Sequence, residues 1–329
     1  MRRSLSTVLA WTGATLLALV LLLVLAMWLL YMPRAQQPPY RRVATWGQPG
    51  SAPGQFNGPN GIAVHGDRVY VADSRNHRIQ IFDRQGHFQS LIGVGPQGLL
   101  PRARPMNLNI AGDKLYAADY WNDAVQVFSL DGRRLLTLGG KPGSGPGRFK
   151  SPAGASATPD GDIVVADFYN QRVQILSPRG AFIRQLGKTG EKFYVSGGGF
   201  NYPTDVAVAP TSGDIYVADG YNDRIQEFGA GGKLLRKWGG PLAINIRGGF
   251  NGWFKTVTSV ALGPAGDVFV VDEENQRIQK FDPDGRFLTA FGIASKGTAY
   301  AYEAVAVAAD GTVYTAGNDM VQVWRQQDD

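Results

Sequence analysis

The stretch that decides the fold is Tyr216-Val-Ala-Asp219-Gly-Tyr-Asn222-Asp-Arg224-Ile-Gln226. Apolar residues lead to an Asp, a polar turn follows, and a second apolar segment begins, which is typical of two strands joined by a turn. Four further copies carry the Asp and a sixth copy is degenerate. The five Asp residues are 46, 48, 52 and 53 residues apart, a period that indicates a repeat architecture. The copies begin at Tyr70-Val-Ala-Asp73, Tyr116-Ala-Ala-Asp119, Val164-Val-Ala-Asp167, Tyr216-Val-Ala-Asp219, Phe269-Val-Val-Asp272 and Tyr314-Thr-Ala-Gly317.

A Gln occupies the same place in the segment after each turn, and a large apolar residue follows two positions later. Each copy then continues through a Gly-containing turn, such as Asp131-Gly132, into a last segment that ends in Gly. Four short strands per copy are typical of a propeller blade, so the sequence predicts an all-β, six-bladed β-propeller. The Gln residues are Gln80, Gln126, Gln174, Gln226, Gln279 and Gln322.

The turn segments resemble the NHL repeat, of a membrane-anchored bacterial type. The clearest copy is Asp73-Ser-Arg-Asn76-His-Arg78-Ile79-Gln80, and it is matched at 167–174, 219–226 and 272–279. The second copy departs at Ala124, where Arg is expected, and the sixth lacks both Asp and Arg. The resemblance implies that the loops between second and third strands, and those between blades, share one face, here called the top face. It does not imply one function, because the family includes enzymes, RNA binders and protein scaffolds.

The ends of the repeat region predict how the ring closes. The sixth copy stops after its third strand, and Val43-Ala-Thr-Trp46-Gly47 matches the last strands of the other copies. We therefore expect three parts: a transmembrane anchor at 1–32, a Pro-rich linker at 33–41, and a propeller at 42–329 closed by strand 42–47. Such closure removes an exposed sheet edge.

The N-terminal segment predicts a membrane anchor. No residue between Arg3 and Arg34 is charged, and Val8 to Tyr31 is almost wholly apolar. At ~1.5 Å per residue this run spans about 36 Å, enough to cross a hydrocarbon core. A cleaved signal peptide is the alternative, with Val24-Leu25-Ala26 as its cleavage site, but the run exceeds the usual apolar length of about 7–15 residues.

Charge distribution argues against nucleic-acid binding. Five Arg residues within 1–42 account for most of the net charge of +6, so the propeller is nearly neutral. A short basic head before an apolar run usually stays cytoplasmic, which places the propeller on the periplasmic, or extracytoplasmic, side. The short linker predicts that the bottom face lies near the bilayer.

Apolar residues at the blade tops are candidate partner-binding residues, since function concentrates in loops on rigid scaffolds. Two insertions between blades, 188–199 and 240–253, are longer than closure requires, and the second also contains Leu242. The candidates are Tyr120, Trp121, Phe168, Tyr169, Phe193, Tyr194, Tyr221, Ile244, Ile246, Phe250 and Trp253.

Polar residues before the inner strands form a second candidate site at the channel mouth. Asn60, Asn107, Asp205 and Glu303 offer the oxygen ligands that Ca²⁺ prefers, and six-bladed lactonases use such a mouth. A zinc lyase of the amidating type needs His from several blades, whereas His65, His77 and His87 all lie in the first copy. We read the recurring Asp, Asn and Arg residues as turn-stabilising groups rather than catalytic ones.

The sequence therefore favours a non-enzymatic, membrane-anchored propeller that binds another protein, without a cofactor, as a scaffold or accessory subunit of a membrane complex. The alternatives are a Ca²⁺-dependent lactonase or other hydrolase at the channel mouth, and an envelope sensor whose aromatic residues stack on small ligands or glycans.

Overall fold

The computed structural model describes residues 5–189, 196–292 and 304–327, and it confirms a six-bladed β-propeller preceded by one apolar helix. The helix runs from Leu5 to Tyr31, and its segment Trp11–Leu29 is long and apolar enough to cross a membrane. Blades 1 to 6 are numbered in chain order. From inner to outer strand, blade 1 comprises Pro59–His65, Arg68–Asp73, Arg78–Asp83 and Phe88–Ile92, and blade 2 comprises Pro105–Ala111, Lys114–Asp119, Ala124–Ser129 and Arg134–Gly139. Blade 3 comprises Gly154–Ala157, Ile163–Asp167, Arg172–Leu176 and Phe182–Leu186, and blade 4 comprises Pro203–Val208, Ile215–Asp219, Arg224–Phe228 and Leu234–Trp238. Blade 5 comprises Val257–Leu262, Val268–Asp272, Arg277–Phe281 and Phe287–Gly292, and blade 6 comprises Ala304–Val307, Val313–Gly317, Met320–Gln326 and, as its outer strand, Tyr40–Trp46.

Turn chemistry explains why each copy becomes a blade. In blade 4 the second and third strands pair antiparallel and place Asp219 opposite Arg224. The 3₁₀ turn Gly220–Asn222 joins them and ends at Asp223, whose backbone is left-handed with φ +50°. Asp and Asn tolerate this conformation better than most residues. The polar residues of the repeat thus stop one strand and start the next.

The core lies between blades. Each pair of neighbouring blades encloses a layer of buried apolar side chains. Burial of such a side chain stabilises the fold by about 1.5–3 kcal/mol. The large residue two positions after each repeat Gln belongs to these layers: Phe82, Phe128, Leu176, Phe228, Phe281 and Trp324 are all buried.

The N-terminal part of the chain completes the ring and then follows its rim. Tyr40–Trp46 pairs antiparallel with the third strand of blade 6, two residues earlier at its start than the sequence analysis placed it. Ahead of this strand, the backbone N–H groups of Gln36 and Gln37 donate to the carbonyl of Leu288 at 2.7 and 3.2 Å. The linker therefore crosses the outer edge of blade 5.

Candidate functional site

The recurring turn residues form closed hydrogen-bond networks. In blade 4, Oδ2 of Asp219 accepts Nε of Arg224 at 2.8 Å and Nε2 of Gln226 at 2.9 Å. Its Oδ1 accepts the backbone N–H of Asn201 at 2.7 Å. Burial raises the pKa of Asp219, and the Arg224 charge opposes that rise. Neither side chain is exposed to solvent, so this pair stabilises the turn and the incoming loop, as the sequence analysis proposed.

A second contact latches the tops of blades 2, 3, 4 and 6 to the next blade. In these four blades the residue after the turn Asn has a left-handed backbone, and its side chain accepts a backbone N–H from the loop that enters the following blade. These latches join Asp123 to Ser151 at 2.7 Å, Gln171 to Tyr202 at 2.6 Å, Asp223 to Thr256 at 2.7 Å and Asp319 to Gly58 at 2.7 Å. The loops of the top face are consequently held on a rigid frame.

Six aromatic side chains from blades 2, 3 and 4 lie on this frame, five of them in ring-to-ring contact and Trp121 joined to Tyr120 through Arg104, and we call them the aromatic belt. Ring centroids are 6.2 Å apart for Tyr120 and Phe168, 4.9 Å for Phe168 and Tyr202, and 5.1 Å for Tyr202 and Tyr221. The Tyr120 hydroxyl also donates to the Tyr169 hydroxyl at 3.0 Å. The belt comprises Tyr120, Trp121, Phe168, Tyr169, Tyr202 and Tyr221.

The belt arises because the two residues directly after the repeat Asp lie in the turn at the blade top. These positions hold Tyr120 and Trp121 in blade 2 and Phe168 and Tyr169 in blade 3. Blade 4 has Gly220 and Tyr221 there, blade 1 has Ser74 and Arg75, and blade 5 has Glu273 and Glu274. The aromatic surface is therefore confined to one side of the top face.

Sequence reasoning missed Tyr202, which lies in the loop entering blade 4. Its backbone has φ +55°, and the latch from Gln171 holds it there. This turn directs its ring between those of Phe168 and Tyr221. The only signal in the sequence was an aromatic residue directly before the inner-strand Pro203.

Exposure and charge distinguish the belt from an ordinary turn surface. Trp121, Tyr169 and Tyr221 are 51%, 43% and 44% exposed, although large aromatic rings are usually covered. The Arg104 guanidinium lies 5.2 Å from the Trp121 ring, and the Lys150 ammonium lies 5.8 Å from the Tyr169 ring. Both are cation–π distances, so two positive charges accompany the belt.

The channel mouth adjoins the belt. Asn60 and Asn107 line a cavity of about 80 Å³ there, together with Arg104, Tyr120 and Phe168. The Nδ2 of Asn107 spans the channel and donates to the backbone carbonyls of Thr204 at 3.1 Å and Thr258 at 3.2 Å. Asn60 directs its own amide toward the Met106 sulfur at 3.5 Å. Both amide nitrogens are therefore engaged by the protein.

Asp205 does not join these two Asn residues, which corrects the predicted grouping. It does not line the mouth cavity, is 2% exposed, and follows a register irregularity that turns its carboxylate toward blade 5. One oxygen accepts Ser259 Oγ at 2.9 Å and the Val260 N–H at 3.1 Å, and the other accepts Asn109 Nδ2 at 3.4 Å. Burial raises the pKa of Asp205 to about 7. Glu303 lies outside the described residues, and within the described ranges no three His, Cys, Asp or Glu residues are grouped as metal ligands are.

We call the second insertion, residues 240–253, the blade 4–5 loop. One of its predicted partner-binding residues is not at the surface. Trp253 was expected to face a partner, but it is buried, and its indole N–H donates to the backbone carbonyl of Tyr31 at the helix end. Ile244 is half-buried, whereas Ile246 and Phe250 are exposed. The helix therefore ends at the rim of blades 4 and 5 rather than at the bottom face. Phe193 and Tyr194, in the other insertion, lie outside the described residues.

Comparison with known families matches the NHL repeat at residues 56–82, 149–176, 200–228 and 254–281. The chain carries four NHL repeats within a six-bladed β-propeller. The matched segments lie in blades 1, 3, 4 and 5, which are the blades that retain the repeat Arg.

Curated relatives share parts of this propeller. The chain is 32% identical over 147 residues to protein brain tumor of Drosophila melanogaster, covering 44% of this chain and 13% of that protein. It is 36% identical over 148 residues to the peptidyl-glycine alpha-amidating monooxygenase of Mus musculus, covering 43% and 14%. It is 37% identical over 144 residues to the probable peptidyl-alpha-hydroxyglycine alpha-amidating lyase pgal-1 of Caenorhabditis elegans, covering 42% and 38%. The matched part is thus well under half of each relative.

Solved structures show the same fold at low identity. A streptogramin B lyase superposes with a TM-score of 0.57 at 15% identity, covering 83% of this chain and 97% of that one. A protein from Bacteroides thetaiotaomicron gives a TM-score of 0.63 at 11% identity, covering 88% and 76%. These likenesses concern architecture alone.

Proposed function

We propose that this chain is a membrane-anchored, extracytoplasmic NHL-repeat propeller that binds another protein through the aromatic belt, as a scaffold or accessory subunit of a membrane complex. The observation that carries the proposal is the belt itself: five rings in a continuous strip, with Trp121 joined to Tyr120 through Arg104, and three of the six rings about half exposed. Tyr, Trp and Arg are the residues most enriched where protein interfaces gain their binding energy.

The latches give the belt a preformed geometry. Asp123, Gln171 and Asp223 hold the loops that surround the belt through short hydrogen bonds to backbone N–H groups. A rigid surface loses little conformational entropy on binding, which favours affinity. This supports recognition by the loops as they stand, without refolding.

The charges next to the belt indicate the partner's chemistry. Arg104 and Lys150 both lie against belt rings, and neither has an ion-pair partner within the described residues. A complementary surface would place apolar groups on the rings and carboxylates beside the two cations. The N-terminal helix supplies the membrane anchor, so a partner in the same membrane would meet the belt at a raised effective concentration.

Site-specific photo-crosslinking in the native membrane tests this proposal. Benzoylphenylalanine would replace Tyr169 or Tyr221, with Phe88 and Phe182 as control positions on outer strands that are each 37% exposed. We expect one discrete crosslinked membrane protein from the belt positions only, and its loss when Arg104→Glu is added. Equal crosslinking at belt and control positions, or none at the belt, would refute the proposed surface.

A further inference from the structure

We propose that the blade 4–5 loop lies on the bilayer surface beside the helix, with Leu242, Ile246 and Phe250 in the headgroup layer. This inference rests on the anchoring part of the proposed function and is independent of the belt. It assigns a lipid surface to a loop that the sequence analysis assigned to a protein partner.

The end of the helix lies at a defined level relative to the membrane. The span Trp11–Leu29 ends two residues before Tyr31, which at ~1.5 Å per residue is about 3 Å along the helix. The first charged residue after the span is Arg34, whose guanidinium lies 5.3 Å from the Trp28 ring. Tyr31 therefore marks the boundary between hydrocarbon and headgroups, where Trp and Tyr are enriched.

Two hydrogen bonds tie the loop to that boundary. The Trp253 indole N–H donates to the Tyr31 carbonyl, and Asn251 Nδ2 donates to the Pro33 carbonyl at 3.1 Å. These two contacts involve adjacent parts of the loop and of the chain leaving the helix. Because the Pro33 ring also lies close to Gly252, the loop is held within a few ångströms of the helix end.

The loop presents three exposed apolar side chains at that level. Leu242, Ile246 and Phe250 are 65%, 41% and 50% exposed, and Phe250 packs edge-on against Trp253 with ring centroids 5.2 Å apart. Leu242 also lines a cleft of about 440 Å³ together with Tyr31, Pro33 and Trp253. Exposing these three apolar side chains to water costs free energy. At a bilayer interface, by contrast, apolar side chains enter the boundary between headgroups and acyl chains by about 5–10 Å.

A hydrogen bond at the end of the loop holds it in this form against unfavourable backbone angles. Leu242 and Asn245 both have left-handed backbones, with φ +55° and +65°, and Leu242 is a branched apolar residue for which that conformation is unfavourable. The Gly252 N–H donates to Gln279 of the blade 5 repeat network at 2.8 Å, which anchors the end of the loop. The apolar tips are thus displayed by a fixed loop.

The absence of cysteine in the chain makes a direct test practical. Single variants Leu242→Cys, Ile246→Cys and Phe250→Cys of the full-length protein would carry an environment-sensitive fluorophore in phosphatidylcholine–phosphatidylglycerol nanodiscs. Matched controls are Leu91→Cys, Ile183→Cys and Phe88→Cys, which are 43%, 42% and 37% exposed on outer strands of blades 1 and 3.

Replacing part of the lipid with headgroup-labelled nitroxide lipid gives the readout. We expect the three loop probes to be quenched more strongly than their three controls. Quenching no greater than in the controls would overturn the inference, including the case in which a second protein copy covers the loop. Such a failure would leave crosslinking at the belt unaffected, so the two proposals can fail separately.

A measurement on the unsubstituted protein guards against misfolded variants. In hydroxyl-radical footprinting the more exposed of two Leu side chains is oxidised faster, so in water Leu242 should react faster than Leu91. In nanodiscs we expect the reverse order, because lipid covers Leu242. Faster oxidation of Leu242 than of Leu91 in nanodiscs would contradict the inference.

Discussion

Replacing Arg224 with Met should destabilise the propeller more than the same change at any partly exposed repeat Arg. Arg224 and Asp219 are both fully buried, and their ion pair is 2.8 Å long. Removing one partner of a buried pair leaves an uncompensated charge, at a cost of about 3–5 kcal/mol. Arg224 also donates to the carbonyls of Gly199 at 3.0 Å and Ala243 at 3.1 Å, which would lose these donors.

The equivalent positions in blades 5 and 2 show how the loss of stability should depend on burial and on the remaining donors. Arg277 makes the equivalent pair in blade 5 but is 14% exposed, so water can partly solvate Asp272 after Arg277→Met and the cost should be smaller. Blade 2 has Ala124 instead of Arg, and Asp119 there relies on Asn122 and Gln126 at 2.7 Å each. The fold thus accommodates this Asp without Arg when neutral donors suffice.

Urea unfolding of the full-length protein in detergent, followed by tryptophan fluorescence, would measure these differences. Without Arg224 the raised pKa of Asp219 should rise further, so the deficit should be smallest in acid, where Asp219 is protonated, and grow as pH rises. The double variant Asp219→Asn, Arg224→Met should recover much of the loss, because no charge is left buried. An Arg224→Met variant as stable as the parent, or no more affected than Arg277→Met, would refute this reasoning.

Two further predictions follow from buried polar contacts. Burial raises the pKa of Asp205 from 3.8 to about 7, and at about 1.4 kcal/mol per pH unit the ionisation of Asp205 alone should remove about 4 kcal/mol of stability from the parent as pH rises from 4 to 7. The difference in unfolding free energy between parent and Asp205→Asn should follow that course, and a pH-independent difference would contradict it. Trp253→Phe removes the hydrogen bond to Tyr31, worth about 0.5–1.5 kcal/mol, so trypsin should cut the linker faster after Arg34. Trp238→Phe is the matched control, since within the described residues the Trp238 indole N–H has no partner, and equal cleavage rates for both variants would disprove the tether.

Sequence repetition was sufficient to predict the blades. An Asp, a Gln and a large apolar residue at constant spacing each have one structural role per blade, so five or six copies reinforce one interpretation. The closing strand was also predictable, because Trp46 matches Trp238 and Phe291 at the ends of other blades. Its start was two residues off, since Tyr40 pairs with Gln326 through contacts that no repeat specifies.

The candidate surfaces were less predictable because they depend on contacts between distant residues. Tyr202 enters the belt through a turn fixed by Gln171, 31 residues earlier. Trp253 is buried because it meets Tyr31, 222 residues away, and no local pattern indicates that contact. Asp205 and Asn107 both lie on inner strands, in blades 4 and 2, but a register irregularity before Asp205 separates their side chains.

Co-purification of the full-length protein from its own membranes in mild detergent, with quantitative mass spectrometry, tests the central claim most directly. The parent should carry a membrane protein in fixed stoichiometry, and so should the control Phe88→Asp, on the outer strand of blade 1. The belt variant Tyr169→Asp, Tyr221→Asp should lose that protein while keeping the parent's thermal stability. A parent that purifies alone, or a belt variant that retains the same partner, would contradict the account.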